Sequence, residues 1–191
     1  MSRRLRQQPH RPAVMAMFPK HAVAIAELIS AWNTLEDSCT LFLPVFTYID
    51  MDQADLMLAQ MVSSQSRLDV VLAAGRFELA KTPEDLAELE ALFDQLRKRL
   101  TVRNQYAHGI YVINDKNELC IMRRRYETGH ARNRQVVHLA GLKQEVTLAL
   151  RLVSRLVNFL VKVEARIPED MRQALRQIRA LRFPPHPTNQ E

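Results

Sequence analysis

Residues 99–112 read RLTVRNQYAHGIYV, and the change of residue type within this stretch decides the fold. Up to His108 the stretch continues a helical pattern that begins at Thr82 and Pro83, a capping residue followed by a proline suited to the first helical turn. Gly109 is a typical residue just beyond a helix C-terminus. The letters IYVI that follow favour a β-strand. We therefore expect a long helix to stop at Gly109 and a small β element to follow.

Most of the remaining chain has helical periodicity. A first helix is expected from Pro19, broken or kinked by Pro44, and a short helix after Asp50. A third helix is expected over roughly 65–80, and a long apolar helix from about residue 142. The expected apolar faces are Leu56, Met57, Gln60 and Met61 in the short helix and Leu68, Val71, Leu72 and Phe77 in the third helix.

Residues 110–139 interrupt this helical pattern. The runs IYVI and ELCIM flank NDKN, which suits a hairpin turn, and RQVVHL favours a third strand. The fold class expected from the sequence is therefore mainly α. It is an antiparallel helical bundle with a small β-hairpin or three-strand insert after the long helix.

The domain organisation follows from the same pattern. Residues 1–18 lack periodicity and predict a flexible basic arm. Residues 19–183 are expected to form a single helical domain, whose last helix opens at Pro168. Residues 184–191 predict a loose tail, and nothing in the sequence suggests a linker between two domains.

Composition narrows the class of protein. Hydrophobic residues make up 47% and charged residues 25% of the chain, the balance of a globular protein, and no run is apolar enough to span a bilayer. Cys39 and Cys120 match no metal-binding spacing, so we expect reduced thiols in a cytoplasmic protein without a bound metal. Charge is uneven: residues 21–101 carry a net charge of −7 and residues 102–191 a net charge of +8. This asymmetry fits charge pairing within a bundle, and it also fits an anionic partner such as RNA.

Arg103, Asn104 and His108 form a polar cluster at the end of the long helix. At about 100° per residue, Asn104 and His108 lie one turn apart on the same face, and Arg103 lies at the border of the buried stripe. A structural interpretation pairs Arg103 with Glu36 or Asp37 and lets His108 cap the last carbonyl groups. A functional interpretation makes the three side chains a site. The residues alone leave both open.

The heptapeptide RNQYAHG at 103–109 resembles the signature of the HEPN superfamily, an all-α group with an R-[N/H/D]-x3-H motif. Ala107 and Gly109 also resemble the form common in bacterial members. The resemblance extends weakly over about residues 20–165, and the β-type insert departs from the minimal HEPN bundle. It implies a HEPN-like domain and a metal-independent endoribonuclease that acts as a homodimer with two facing motifs. It also suggests a toxin or phage-defence effector, with RNA as substrate and an antitoxin as a further partner.

The resemblance also implies roles for individual residues. His108 is the catalytic base or acid, Arg103 holds the phosphate, and Asn104 orients the phosphate or His108. Histidine suits proton transfer near neutral pH, and arginine suits charge developing on a phosphate. No cofactor or metal is needed for attack by the ribose 2′-hydroxyl.

Other residues have weaker claims. Arg123, Arg124, Arg125 and Tyr126 are candidates to grip RNA by charge and stacking, or to protect an exposed hairpin edge. Glu36 is a candidate support for Arg103. The alternative function is a non-enzymatic HEPN-like helical dimer that binds protein or nucleic acid, in which Arg103 and His108 only stabilise the helix end.

Overall fold

The computed structural model of the chain describes residues 11–12, 15–122 and 134–166. This part of the chain is mainly helical and carries a small antiparallel sheet, which confirms the expected mainly-α fold with a β-type insert. The last helix expected from Pro168 and the loose tail at 184–191 lie outside the described residues.

The helices follow the sequence pattern closely. The described α-helices are α1 (Pro19–Thr40), α2 (Phe42–Thr47), α3 (Met51–Ala59), α4 (Ser64–Glu78), α5 (Pro83–His108) and α6 (Leu139–Glu164). Asp50 caps α3 by accepting a hydrogen bond from the Gln53 backbone N–H at 2.8 Å. The expected break near Pro44 falls three residues earlier, at Leu41, because Pro44 lies in the first turn of α2, where its missing N–H needs no partner.

The strands are β1 (Arg11–Pro12), β2 (Ile110–Ile113), β3 (Leu119–Met122) and β4 (Arg134–Val136), paired antiparallel in chain order. The β2–β3 hairpin aligns Ile110 with Met122 and Ile113 with Leu119. Its turn places Asn117 at a φ of 59°, a left-handed conformation that asparagine tolerates. The hairpin at NDKN and the third strand in RQVVHL are therefore confirmed.

The expected flexible arm at 1–18 has regular structure at residues 11–12 and 15–17. Arg11 and Pro12 pair with Val112 and Ile113 of β2, and Met15–Met17 form a 3₁₀ turn. A two-residue strand is too short to produce a sequence pattern, and a proline is tolerated on an edge strand. Residues 1–10 and 13–14 lie outside the described residues.

The chain divides into two compact units. Of the described residues, those up to 32 and those between 101 and 149 form the sheet unit, and those from 33 to 100 and from 150 onward form the helical unit. The prediction of a single domain over 19–183 stays a prediction.

The core of the sheet unit lies between α1 and one face of the sheet. Its buried members are Ala24, Ile25, Leu28, Leu119, Ile121, Val137 and Leu142. The opposite face of the sheet buries Cys120 and Met122 with Val112. All four residues of β3 are therefore buried, since successive side chains of a strand point to opposite faces. His21 of α1 also donates from Nε2 to the Val137 carbonyl at 3.1 Å.

The helical unit has a core of leucine and phenylalanine. Fully buried members include Leu35, Phe42, Leu68, Leu72, Leu89, Phe93, Leu96 and Phe159, and the rings of Phe42 and Phe159 stack with centroids 6.0 Å apart. Two of the expected apolar faces are wrong in part. Leu56 and Met57 are 66% and 48% exposed, whereas α3 buries Met51, Ala54 and Leu58. Phe77 of α4 is 85% exposed.

Asp85, in the first turn of α5, is a buried carboxylate with two cationic partners. It forms ion pairs with Arg166 and with Lys162, whose Nζ lies 3.0 Å from Oδ1. Burial alone raises the pKa of Asp85, but hydrogen bonds from Lys162 and Arg166, together with their charges, outweigh it and hold the pKa below the usual value of 3.8. Asp85 therefore stabilises the folded helical unit most when it is ionised.

We expect Asp85→Asn to lower the free energy of unfolding at pH 7 by about 1–2 kcal/mol, because hydrogen bonds to charged partners are lost. The folded-state pKa is depressed, so this stabilisation is present above the unfolded-state value of 3.8 and is lost as pH falls through the folded-state pKa. Urea unfolding of wild type and Asp85→Asn at pH 7 and in a more acidic buffer measures the difference in their free energies of unfolding. This difference should become smaller in the acidic buffer.

Glu88 provides a matched control, since it also binds Lys162, at 2.6 Å, but its side chain is 45% exposed. Glu88→Gln should cost less than about 0.5 kcal/mol, as exposed ion pairs contribute little. Equal losses in the two variants would contradict the importance of the buried carboxylate.

Candidate functional site

The last two turns of α5 carry the three side chains singled out in the sequence. Arg103 is half-buried, and Asn104 and His108 are exposed. The structure joins two of them, because Arg103 Nη1 donates to Asn104 Oδ1 at 3.0 Å. His108 is the final residue of the helix and lies one turn beyond Asn104. The motif thus places a guanidinium, an amide and an imidazole at one helix end.

The guanidinium of Arg103 has a donor with no acceptor. Its Nε is buried and makes no hydrogen bond within the described part of the chain. Leaving such a donor unsatisfied costs roughly 1–3 kcal/mol, and more for a charged group. This Nε is too buried to meet a ligand itself, but Arg103 as a whole is only half-buried, and a guanidinium matches phosphate and carboxylate groups well.

Gly109 ends the helix for a different reason from the one expected. Its φ is not positive, so it does not use the left-handed conformation typical of a glycine beyond a helix end. A Cβ at this position would lie 2.4 Å from Cδ1 and Cγ1 of Ile121 and 2.6 Å from the Gln105 carbonyl oxygen. The glycine is therefore needed because β3 packs directly against the chain where α5 ends.

Two hydrogen bonds connect the end of α5 to the sheet, and the sequence alone did not reveal them. Gln105 Nε2 donates to Gln135 Oε1 in β4 at 2.8 Å, and the Tyr111 hydroxyl donates to the Tyr106 carbonyl. The last carbonyl groups of any helix lack partners within the helix, so a hydroxyl a few residues beyond the helix end is a candidate donor to one of them. Tyr111, three residues after His108, could have been recognised in this way.

The two tyrosines lie in a partly apolar environment. Both pack against the sheet-unit core that contains Ile25 and Ile121. Burial, and then the charge of Glu145, raises the pKa of Tyr106. Burial, and then Tyr106, raises the pKa of Tyr111 to about 12. Both hydroxyl groups therefore stay protonated and neutral over the physiological range.

Glu36, the predicted support for Arg103, has other partners in the structure. It accepts hydrogen bonds from Arg67 Nη1 and Ser64 Oγ, each at 3.0 Å. Its support of Arg103 stays a prediction, as does the role of Asn104 toward a phosphate. The RNA-binding candidates Arg123, Arg124, Arg125 and Tyr126 lie outside the described residues.

The described ranges also bear on metals, disulfides and membranes. Within them, no group of three or more His, Cys, Asp or Glu side chains is placed to hold a metal ion. Cys39 and Cys120 are buried, and neither forms a disulfide within the described residues. None of the described helices is long and apolar enough to cross a membrane.

Comparison with known proteins adds no assignment. No protein-family model, no curated protein and no solved structure matches the chain.

Proposed function

We propose that this chain is a HEPN-type endoribonuclease that works without a metal ion and uses the end of α5 as its active site. The observation that carries the proposal is the Arg103 guanidinium, whose buried Nε has no acceptor in the described residues. The same helix ends at an exposed imidazole, that of His108. A phosphate would bind to the half-buried guanidinium, and the imidazole would transfer the proton.

The reaction is an attack by a ribose 2′-hydroxyl on the adjacent phosphate. His108 accepts the 2′-hydroxyl proton or protonates the departing 5′-oxygen, as an imidazole can do at neutral pH. Arg103 stabilises the negative charge that develops on the phosphorane. Asn104, hydrogen-bonded to Arg103, keeps the guanidinium oriented and offers its own amide N–H groups to the phosphate. The products are a 2′,3′-cyclic phosphate and a 5′-hydroxyl.

The position of the site gives Arg103 a second task. A helix C-terminus carries roughly half a negative charge from its unpaired carbonyl groups, which repels an approaching phosphate. A fixed cation one turn from the end offsets this repulsion, and the Tyr111 hydroxyl occupies one of the carbonyl groups. Both features make the helix end more favourable for an RNA phosphate.

The biological setting belongs to the same proposal. The enzyme acts as a cytoplasmic homodimer in which two motifs form one composite cleft, serves as a toxin or phage-defence effector, and is restrained by an antitoxin protein.

We expect the purified wild-type chain to cut a labelled mixed-sequence RNA in buffer that contains EDTA. A 2′-O-methyl RNA of the same sequence should stay intact, because it lacks the attacking hydroxyl, and this substrate is the matched control. Gel electrophoresis of both substrates measures the result. Cleavage that stops with EDTA, or equal cleavage of the two substrates, would contradict the proposed chemistry.

A second candidate function is a non-enzymatic helical dimer that binds protein or nucleic acid. The hydrogen bond between Arg103 and Asn104 favours it to a degree, because it gives the guanidinium a partner within the motif itself. Intact RNA at high enzyme concentration, combined with binding of RNA that weakens with salt, would favour this candidate.

A further inference from the structure

The sheet holds the end of α5 at three neighbouring points. Tyr111 of β2 donates to the Tyr106 carbonyl, Gln135 of β4 accepts from Gln105, and Ile121 of β3 contacts the chain at Gly109. All of these residues belong to the sheet unit. The three contacts fall within the last four residues of the helix and the glycine after it.

His108 depends on these contacts for its position. Its side chain is exposed and makes no hydrogen bond within the described residues, so the course of the backbone determines where the imidazole lies. The last turn of a helix frays easily, because its carbonyl groups lack partners in the helix. The Tyr106 carbonyl, two residues before His108, is one that the sheet occupies.

We propose that Tyr111 is a positioning residue for His108, acting through its hydrogen bond to the Tyr106 carbonyl. The inference rests on the proposed ribonuclease function and assigns a role to the β insert within it. The hydroxyl fixes the last turn of α5, and the last turn carries the imidazole.

The surroundings of Tyr111 suit this role. Its ring packs against the apolar core between α1 and the sheet, so the aromatic body is anchored while the hydroxyl reaches the helix. The hydroxyl stays protonated at neutral pH, since burial raises the pKa of Tyr111 to about 12. It therefore remains a donor over the physiological pH range. A displacement of about 1 Å of a catalytic group can cost as much as 10²-fold in rate.

The test is Tyr111→Phe, which keeps the ring and removes only the hydroxyl. We expect kcat for RNA cleavage to fall by about 10-fold with KM for RNA unchanged, because the phosphate contacts remain while the imidazole is less well placed. Amide hydrogen exchange of residues 105–109 should become faster. A purely structural role would lower the melting temperature without this selective loss of kcat.

Tyr106→Phe is the matched control. It removes a hydroxyl from the same cluster but keeps the backbone carbonyl that Tyr111 binds. Its kcat should stay within about 2-fold of wild type, a change small on the scale of positioning effects. If the kcat of Tyr111→Phe also stays within about 2-fold of wild type, the positioning role is overturned.

Further outcomes separate this inference from the function on which it rests. If the wild type cleaves no RNA, the proposed function fails and the positioning role fails with it. If the wild type cleaves RNA but Tyr111→Phe does not fold, amide hydrogen exchange in the wild type tests the positioning role instead. Protected amides at residues 105–108 support a fixed last turn, whereas exchange at the rate of an unstructured peptide overturns the inference while leaving the ribonuclease intact.

Discussion

His108→Ala is expected to lower the rate of RNA cleavage by about 10²–10⁴-fold, the range that a positioned acid or base contributes. The variant should fold normally, because the side chain is exposed and lies outside both cores. Single-turnover cleavage at saturating enzyme measures the chemical step directly. The melting temperature of the variant should stay close to that of wild type, as for most exposed substitutions.

His138 supplies the matched control for this experiment. It is also an exposed histidine of the sheet unit, and the hydrogen bond that it makes within the described residues is accepted by its backbone carbonyl from the Leu142 N–H in the first turn of α6. His138→Ala should therefore cleave RNA at nearly the wild-type rate. Equal rates for wild type and His108→Ala would assign the cleavage to other residues.

Gly109→Ala is expected to lower the free energy of unfolding by about 3 kcal/mol, the upper part of the range for overpacking. The added Cβ meets Ile121 at 2.4 Å and the Gln105 carbonyl oxygen at 2.6 Å, and a backbone oxygen cannot move aside as a flexible side chain can. To relieve this overlap, the end of α5 must move away from β3. This movement also displaces His108, so the rate of RNA cleavage should fall together with the free energy of unfolding. Urea unfolding and the single-turnover assay measure the two effects.

Gly141→Ala is the contrasting substitution. A Cβ at Gly141 in α6 would meet nothing within 4 Å, and alanine favours a helix over glycine by roughly 1 kcal/mol. This variant should be slightly more stable than wild type and equally active. A Gly109→Ala protein as stable as Gly141→Ala would show that the close packing of β3 on the helix end is not maintained in solution.

The sequence was sufficient to locate most elements. Caps and breakers placed the starts of α1, α3 and α5, and the change of residue type after Gly109 predicted β2, β3 and β4. These signals are local: they depend on backbone conformation and on neighbouring residues, so they can be recognised without knowledge of the fold.

The buried faces were harder to predict, since they depend on distant parts of the chain. In α4 the buried stripe runs through Leu68, Leu72, Gly75 and into Leu79, not through Phe77. Gly75 belongs to the stripe because a Cβ there would lie 2.4 Å from Leu89 Cδ2. A glycine carries no hydrophobic signal, so the periodicity favoured the phenylalanine instead.

In the candidate site, too, the local features were predictable and the long-range contacts were not. The sequence identified Arg103, Asn104 and His108 and placed them at the end of a helix, as the structure does. The contacts that hold this helix end, from Tyr111 and Gln135, come from strands whose register only the folded sheet defines. A side chain that only holds another group in place is therefore harder to recognise in a single sequence than a catalytic motif, because no local pattern marks it.

The most direct test of attack by the ribose 2′-hydroxyl is the chemistry of the new RNA ends formed by the wild-type chain in EDTA. Mass spectrometry of the fragments should find a 2′,3′-cyclic phosphate on one side and a 5′-hydroxyl on the other, and both ends should form about 10²–10⁴-fold more slowly with His108→Ala. Fragments with a 5′-phosphate and a 3′-hydroxyl, or no fragments from the wild type at high concentration, would contradict a ribonuclease site at the end of α5.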